Sequence, residues 1–370
     1  MQFQDVPGQS TTKKALIQAS ERNKIAHAQL FSSVGGGAGL SLALAYASYL
    51  LCTNKTSEDS CGSCPSCVRA HKGIHPDVHY FFPRITIKKE EYDKKIGGFM
   101  QSFRDFIQET PFGLLGDFVL KAGYENKALN ISKDDSKRLI KSVSMKSVEG
   151  GAKIILVWMP EYFHPSAANA ILKVLEEPPA NTLFFLVTHA YESLMATITS
   201  RSLLFSIPPF SDEEVAAHLE KNGHDATQAA TFARMAYGSI GEAIQLSQDA
   251  DDLAYIEFRQ WMLDCFNNKF ADLTNRAEDF GKSGKLAQRS SLQFALNILR
   301  ETIIADEAKL TTRSGDEAKF IANFGKKLSA PKKQKMYNEL NEAVIHLDRN
   351  ANAKMKHFHL STVFSELFRK

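Results

Sequence analysis

Four cysteines, Cys52, Cys61, Cys64 and Cys67, follow a C-x8-C-x2-C-x2-C pattern early in the chain. Thiolates are soft ligands that hold Zn²⁺ tetrahedrally, and two-residue gaps let neighbouring sulfurs converge on one ion. Gly62, Ser63, Pro65 and Ser66 supply tight turns between the ligands. The other reading is a set of reduced structural cysteines or a redox pair; the spacing favours the metal. Four sulfurs leave no open coordination position, so such a site is structural rather than catalytic. The fifth cysteine, Cys265, falls in an apolar helical stretch and reads as core.

Just upstream, Gly35-Gly36-Gly37-Ala38-Gly39-Leu40-Ser41 has the curve of a phosphate-binding loop. A working loop sets a lysine against the phosphates and a Ser or Thr hydroxyl on Mg²⁺. Between Lys24 and Lys55 there is no lysine. The shape is present without the charge, so the chain is expected to lack an ATP site of its own. A plain glycine-rich strand-to-helix turn is the alternative.

These residues need a scaffold. Gln29–Val34 reads as a short strand entering the glycine turn, and Ser41–Leu51, rich in Ala and Leu, as the helix leaving it. Asp77–Pro83, Lys153–Met159 and Asn181–Thr188 read as further strands. The last two are apolar runs suited to burial on both faces of a parallel sheet. Between them Ala167, Ile171, Leu172 and Leu175 recur at helical spacing, with Pro165 in the first turn and Pro178-Pro179 at the end. A helix through Ser193–Thr199 and a strand at Leu203–Ile207 complete residues 1–208. Alternation of this kind implies a doubly wound α/β sheet.

Arg84–Gly151 is about twice what a crossover needs. Phe99, Phe103, Phe106 and Ile107 mark one helix in it, and Ser132 with Asp135 caps a second through Lys146. Pro111–Asn130 carries no assignable pattern. Past Pro208-Pro209 the composition turns helical: Asp212–Lys221, then Ala229–Gln248 with a turn at Gly238-Ser239-Ile240-Gly241, then an all-helical block from Asp251 to Lys370. The chain therefore divides into 1–208, with a cysteine module at 52–67 and an insertion around 84–130, a small helical domain at 209–250, and a helical block at 251–370.

A length of 370 residues fits two or three domains. Hydrophobic content of 44% and a charged fraction of 24% are ordinary for a globular protein. A net charge of +3 is too small to mark a nucleic-acid binder by itself. The first 20 residues have no apolar core for a secretory signal, and no apolar run approaches a membrane span. A cytoplasmic location with reduced thiols is expected.

Phe3-Gln4-Asp5-Val6-Pro7-Gly8-Gln9 and His27-Ala28-Gln29-Leu30-Phe31 resemble the N-terminal box and the strand before the phosphate loop in bacterial DNA polymerase III clamp-loader subunits, which are AAA+ proteins. The four cysteines and His75-Pro76-Asp77 match in position. Ser166-Ala167-Ala168-Asn169 through Leu175-Glu176-Glu177-Pro178-Pro179 is similar to that family's most recognisable stretch, Ser200-Arg201-Ser202 to its SRC motif, and Asn350-Ala351-Asn352 to a turn in its last helices. The resemblance implies an AAA+ α/β domain, a helical lid at 209–250 and an all-α collar at 251–370.

Aligned on the family, the catalytic lysine falls at Gly39, its Ser/Thr at Leu40, and the Asp-Glu pair for Mg²⁺ and water at Met159 and Pro160. Glu161 is not expected to substitute, because one step along a strand reverses the side chain. Glu242 follows Gly241 where a sensor arginine is looked for, and Thr188 stands at the γ-phosphate-sensing position. This pattern resembles the non-hydrolysing delta-prime branch, beside the gamma/tau ATPases.

The resemblance then implies a stator in a hetero-pentamer with gamma/tau and delta subunits, loading the beta clamp on primer–template DNA within a nucleoid-associated replisome. Arg201 would act as an arginine finger in a neighbour's ATP site; the plainer reading is a helix-capping surface arginine. Lys326, Lys327, Lys332, Lys333 and Lys335 read as a solvated helix face rather than a DNA contact. The rival functions are an active gamma/tau-type ATPase and a free-standing zinc-ribbon DNA-binding protein.

Overall fold

The computed structural model describes residues 1–124, 127–248, 252–308, 315–348 and 351–369. Contacts divide the chain into two compact units, Met1–Ile244 and Gln245–Lys370.

In the first unit the strands are β1 (Ala28–Ser32), β2 (Val78–Phe81), β3 (Arg84–Ile85), β4 (Leu129–Asn130), β5 (Lys153–Trp158), β6 (Thr182–Thr188) and β7 (Leu203–Ser206). Five form a parallel sheet in the order β2-β5-β6-β1-β7. The two apolar runs, β5 and β6, are buried at every position, as central strands covered on both faces must be. Helices α1 (Ser10–Glu21), α2 (Gly39–Leu51), α3 (Pro65–His71), α4 (Tyr92–Glu109), α5 (Leu115–Ala122), α6 (Lys133–Ser144), α7 (Pro165–Glu176) and α8 (Ala196–Thr199) surround the sheet. This is the α/β architecture that the resemblance implied.

Side chains alternate across the sheet with the period of two that a strand imposes. Ile155 and Val157 join Phe184, Leu186, Leu139, Ala167 and Ile171 in one cluster. On the opposite side Tyr46 of α2 stacks on Phe185 with centroids 5.3 Å apart. Trp158 at the end of β5 meets Phe106 and Phe118, at 5.1 and 5.7 Å.

Those phenylalanines come from the long connection, so it is part of the core and not an appendage. β3 and β4 pair antiparallel and close its two ends together. The stretch Pro111–Asn130, which carried no readable pattern, contains α5 and β4. Arg84 is buried with Asp135, which accepts from its guanidinium at 2.9–3.1 Å and from the Tyr92 hydroxyl at 2.7 Å. The expected cap on α6 is present: Asp135 N donates to Ser132 Oγ at 3.3 Å, and Ser132 N to Asp135 Oδ2 at 2.9 Å.

The expected helix at Ser193–Thr199 is broken. A 3-10 turn at Tyr191–Ser193 precedes the four-residue α8, with Leu194 and Met195 extended between them. Helices α9 (Asp212–Lys221), α10 (Ala226–Ala236) and α11 (Ile240–Gln248) follow β7, and the division between units falls inside α11.

The second unit contains α12 (Asp252–Phe266), α13 (Phe270–Lys282), α14 (Lys285–Ala308), α15 (Gly315–Lys327), α16 (Ala330–Asp348) and α17 (Ala353–Arg369). Trp261, Leu299, Met336, Leu340 and Phe364 are among its core residues, and Cys265 is fully buried there as expected. Lys333 corrects the reading of a solvated lysine face: it is 0% exposed, and its Nζ donates to Thr302 O at 3.3 Å. The apolar face of α16 carries it inward, because its long stem packs while its head finds a carbonyl. Of the Asn350–Asn352 turn, Asn350 lies outside the described residues; Asn352 caps α17, accepting from Met355 N at 3.1 Å.

Candidate functional site

The glycine turn sits between β1 and α2, at the carboxyl end of the strands, with Gly36 at φ +69°. Two of its carbonyls accept from the turn at Gly238–Gly241. Ser239 Oγ donates to Gly35 O at 2.7 Å, and Gly241 N to Gly36 O at 3.1 Å. At position 39 an added Cβ would lie 2.5 Å from Ser33 Oγ and 3.4 Å from Val187 Cγ1, so the Ser33 hydroxyl would have to rotate to admit a side chain. Leu40 is buried, and Ser41 Oγ donates to Ala38 O at 3.1 Å instead of facing a metal.

Beside the turn, the reasoning about Glu161 from strand alternation fails. β5 ends at Trp158, Met159 turns left-handed at φ +57°, and Pro160–Tyr162 form one 3-10 turn. Glu161 therefore reaches back over the sheet: its carboxylate accepts from Thr188 Oγ1 at 2.9 Å and from His189 N at 3.3 Å. Burial pushes the Glu161 carboxyl above its ordinary pKa, and burial lowers His189 to about 4. His189 Nδ1 lies 3.5 Å from Ser33 Oγ. A hydroxyl, a neutral imidazole and a carboxyl offer no positive charge to a polyphosphate. Met159 and Pro160 are both buried and carry no acid.

The cysteines converge. All four sulfurs lie within 4.8 Å of one another, with Cys52–Cys61 at 3.5 Å and Cys61–Cys67 and Cys52–Cys64 at 4.0 Å. Tetrahedral Zn–S bonds of ~2.3 Å require sulfurs roughly 3.8 Å apart, so the four thiols fit a metal ion without rearrangement. The backbone N–H of Cys61, Cys64 and Cys67 donates to the preceding cysteine's sulfur at 3.3–3.4 Å, which favours thiolate. Burial opposes ionisation of Cys64, but hydrogen bonds from Thr53 and Cys67 outweigh it and bring the thiol to about 5.

Two motifs brace this module. Asp59 accepts from the backbone N–H of Phe3 and Gln4, both at 2.9 Å, tying the N-terminal box to the cysteine loop. His75 Nε2 lies 2.7 Å from Ser66 Oγ on α3, and the Asp77 carboxylate accepts from Val148 N and Glu149 N at 2.6 and 2.9 Å. His75-Pro76-Asp77 thus links the module to the loop before β5.

Arg201 stands apart from both sites, at the end of α8 beside β7. Its Nε donates to Glu176 Oε2 at 3.2 Å, and its Nη1 to Thr197 O at 3.0 Å and Ser200 Oγ at 3.4 Å. It opens on a cleft of about 410 Å³ lined by Ala26, His27, Glu176, Ser200 and Leu203. β7 is the sheet edge, and Leu203 and Leu204 are 53% and 43% exposed on it. The helix-capping contact is present, and the residue lines the cleft.

Ser33, Phe112 and Leu114 escaped the sequence reading, and Ser239 and Glu176 were named only as members of a turn and of a family motif. Nothing in either stretch named the partners these residues meet.

The family profile described as DNA polymerase III, delta subunit, matches residues 8–211. The DNA polymerase III subunit delta' of Escherichia coli (strain K12) is 30% identical over 236 residues, 63% of this chain and 58% of that protein. Its Bacillus subtilis (strain 168) counterpart is 24% identical over 65% of this chain and 60% of its own. A Haemophilus influenzae subunit tau/gamma is 26% identical over 67% of this chain and 30% of its own. The match thus spans less than two thirds of the length of these relatives. Among solved structures, a gamma subunit-related protein from Thermotoga maritima aligns with 98% of this chain at 16% identity and a TM-score of 0.37.

Proposed function

The chain belongs to the DNA polymerase III delta-subunit family, among its clamp-loader delta' members, and from that premise we propose that it is a non-hydrolysing stator of a clamp loader. In this reading it joins gamma/tau ATPases and a delta subunit in a hetero-pentamer that loads the beta clamp on primed DNA in the cytoplasm. Among the described residues, no helix is long and apolar enough to cross a membrane. The three-part division at 208 and 250 belongs to the same proposal.

The observation that carries it is the glycine turn. No lysine stands in it or near it in sequence between Lys24 and Lys55, and Gly39 and Leu40 stand where the family's lysine and hydroxyl would. Turnover of ATP in this chain would need a positive charge that the loop does not carry. Its contribution to catalysis lies instead in Arg201, which acts in trans on a neighbour's nucleotide. Guanidinium suits that role because it stays charged and binds two oxygens at once. The four cysteines hold one structural Zn²⁺, which crosslinks the end of α2 to the start of α3.

The test is reconstitution with gamma/tau and delta subunits. Arg201→Ala should lower the DNA- and clamp-stimulated ATPase by at least tenfold; arginine fingers are worth roughly 10³–10⁵ at a single site. Unchanged turnover removes the finger. Tight Mg-ATP binding by the isolated chain would instead favour a gamma/tau-type ATPase.

A further inference from the structure

We propose that Phe112–Leu114, at the tip of the insertion, is a built-in wedge that locks the Gly238–Gly241 turn onto the glycine turn without a nucleotide. The inference rests on the reading that the glycine turn holds none. The two turns meet backbone to backbone: an added Cβ on Gly36 would come within 2.4 Å of Ser239 Oγ and 2.9 Å of Gly241 Cα. Only glycine at both positions permits that approach.

The wedge closes the same contact from the other side. An added Cβ on Gly241 would lie 2.3 Å from Phe112 O and 3.4 Å from Leu114 Cγ, and one on Gly35 would lie 3.3 Å from Leu114 Cδ2. The buried Phe112 ring meets Phe210 and His218 edge-on at 5.7 and 5.3 Å, which ties in the residue entering α9 and α9 itself.

The wedge stands on a rigid base. Gly113 N donates to Thr110 O at 2.8 Å, Thr110 Oγ1 to Phe106 O at 2.9 Å, and Leu114 N to Asp117 Oδ2 at 2.7 Å. Phe106 packs on Trp158 in the sheet. A continuous path of packed groups therefore runs from β5 through the insertion to the turn before α11. The insertion keeps this joint shut. The long connection thereby holds α9 and α10 in one orientation on the sheet.

Hydrogen–deuterium exchange on the full-length protein tests this, with Gly241→Ala, which forces a methyl against Phe112 O, and the milder Leu114→Ala. Both variants should speed exchange about tenfold, and together, in peptides covering 33–38, 110–115 and 238–244, while β5 and β6 stay protected. If Gly241→Ala unfolds the chain, Leu114→Ala decides alone. Acceleration confined to the mutated segment, or the turn at 238–244 already exchanging freely in the wild type, overturns the wedge and leaves the stator reading standing. Saturating Mg-ATP should change nothing in the wild type. Protection of 33–38 by Mg-ATP overturns the wedge and the empty-site reading together.

Discussion

Arg201 Nε donates to Glu176 Oε2 at 3.2 Å, joining the triplet before β7 to the end of α7. The pair is exposed, with side chains 32% and 57% accessible. Such pairs contribute about 0–1 kcal/mol. Glu176 therefore holds the guanidinium only weakly. Glu176→Gln should leave the urea midpoint nearly unchanged and leave stimulated ATPase intact in the complex, whereas Arg201→Ala lowers the rate. A complex in which both variants lose activity equally would mean that the ion pair is what matters.

Metal content is a direct check on the cysteines. Protein purified without added zinc should carry one Zn²⁺ per chain by elemental analysis, and Cys64→Ser should carry less than half of that. Because Asp59 ties the N-terminal box to the cysteine loop, the variant should also be cut faster near its N-terminus by a protease.

Restoring the lysine should not restore the site. Gly39→Lys with Leu40→Thr pushes a side chain against Ser33 and Val187, and the 238–241 turn still holds the loop. Calorimetric titration should detect no Mg-ATP binding, and the double variant should be less stable than the parent by about 1–3 kcal/mol, the usual cost of overpacking.

Arg84 and Asp135 form a buried pair, 2% and 3% exposed. Arg84→Met leaves the carboxylate without a counter-charge, though Tyr92 and Ser132 still donate to it, and should cost about 3 kcal/mol in chemical denaturation. Because Asp135 also caps α6, Asp135→Leu should be no milder, and making both changes together should recover part of the loss by leaving no charge stranded.

His357 gives a pH signature in the second unit. It lies between Trp261 and Phe280, with centroids 4.5 Å from each, and burial, aided by Arg276, lowers its pKa to about 3. Below the unfolded value of ~6.5 the unfolded chain takes up a proton that the folded chain refuses. Stability from this residue is thus lost as pH falls from ~6.5 toward 3. His357→Phe should gain on the parent by about 2 kcal/mol between pH 7 and 5 in urea unfolding followed by tryptophan fluorescence. A constant difference across that range would refute the assignment.

Residue type and local spacing carried much of the outcome. Thiol spacing placed the cysteine cluster, apolar runs placed β5 and β6, and Ser132 with Asp135 placed the start of α6, because each is a short-range preference. Harder to read were positions set by partners far along the chain. The direction of Glu161 turned on where β5 stops, and the place of Lys333 turned on which face of α16 packs inward.

That no lysine stands between Lys24 and Lys55 is read directly from the one-dimensional chain. What packs around the glycine turn was decided only in three dimensions. Ser33, Leu114 and Ser239 meet at the glycine turn although more than 200 residues separate the first from the last. Close packing dictates that a glycine surface without a ligand be covered by something, but which distant segment covers it follows from the sheet order and the path of the insertion, and neither is written in any local pattern.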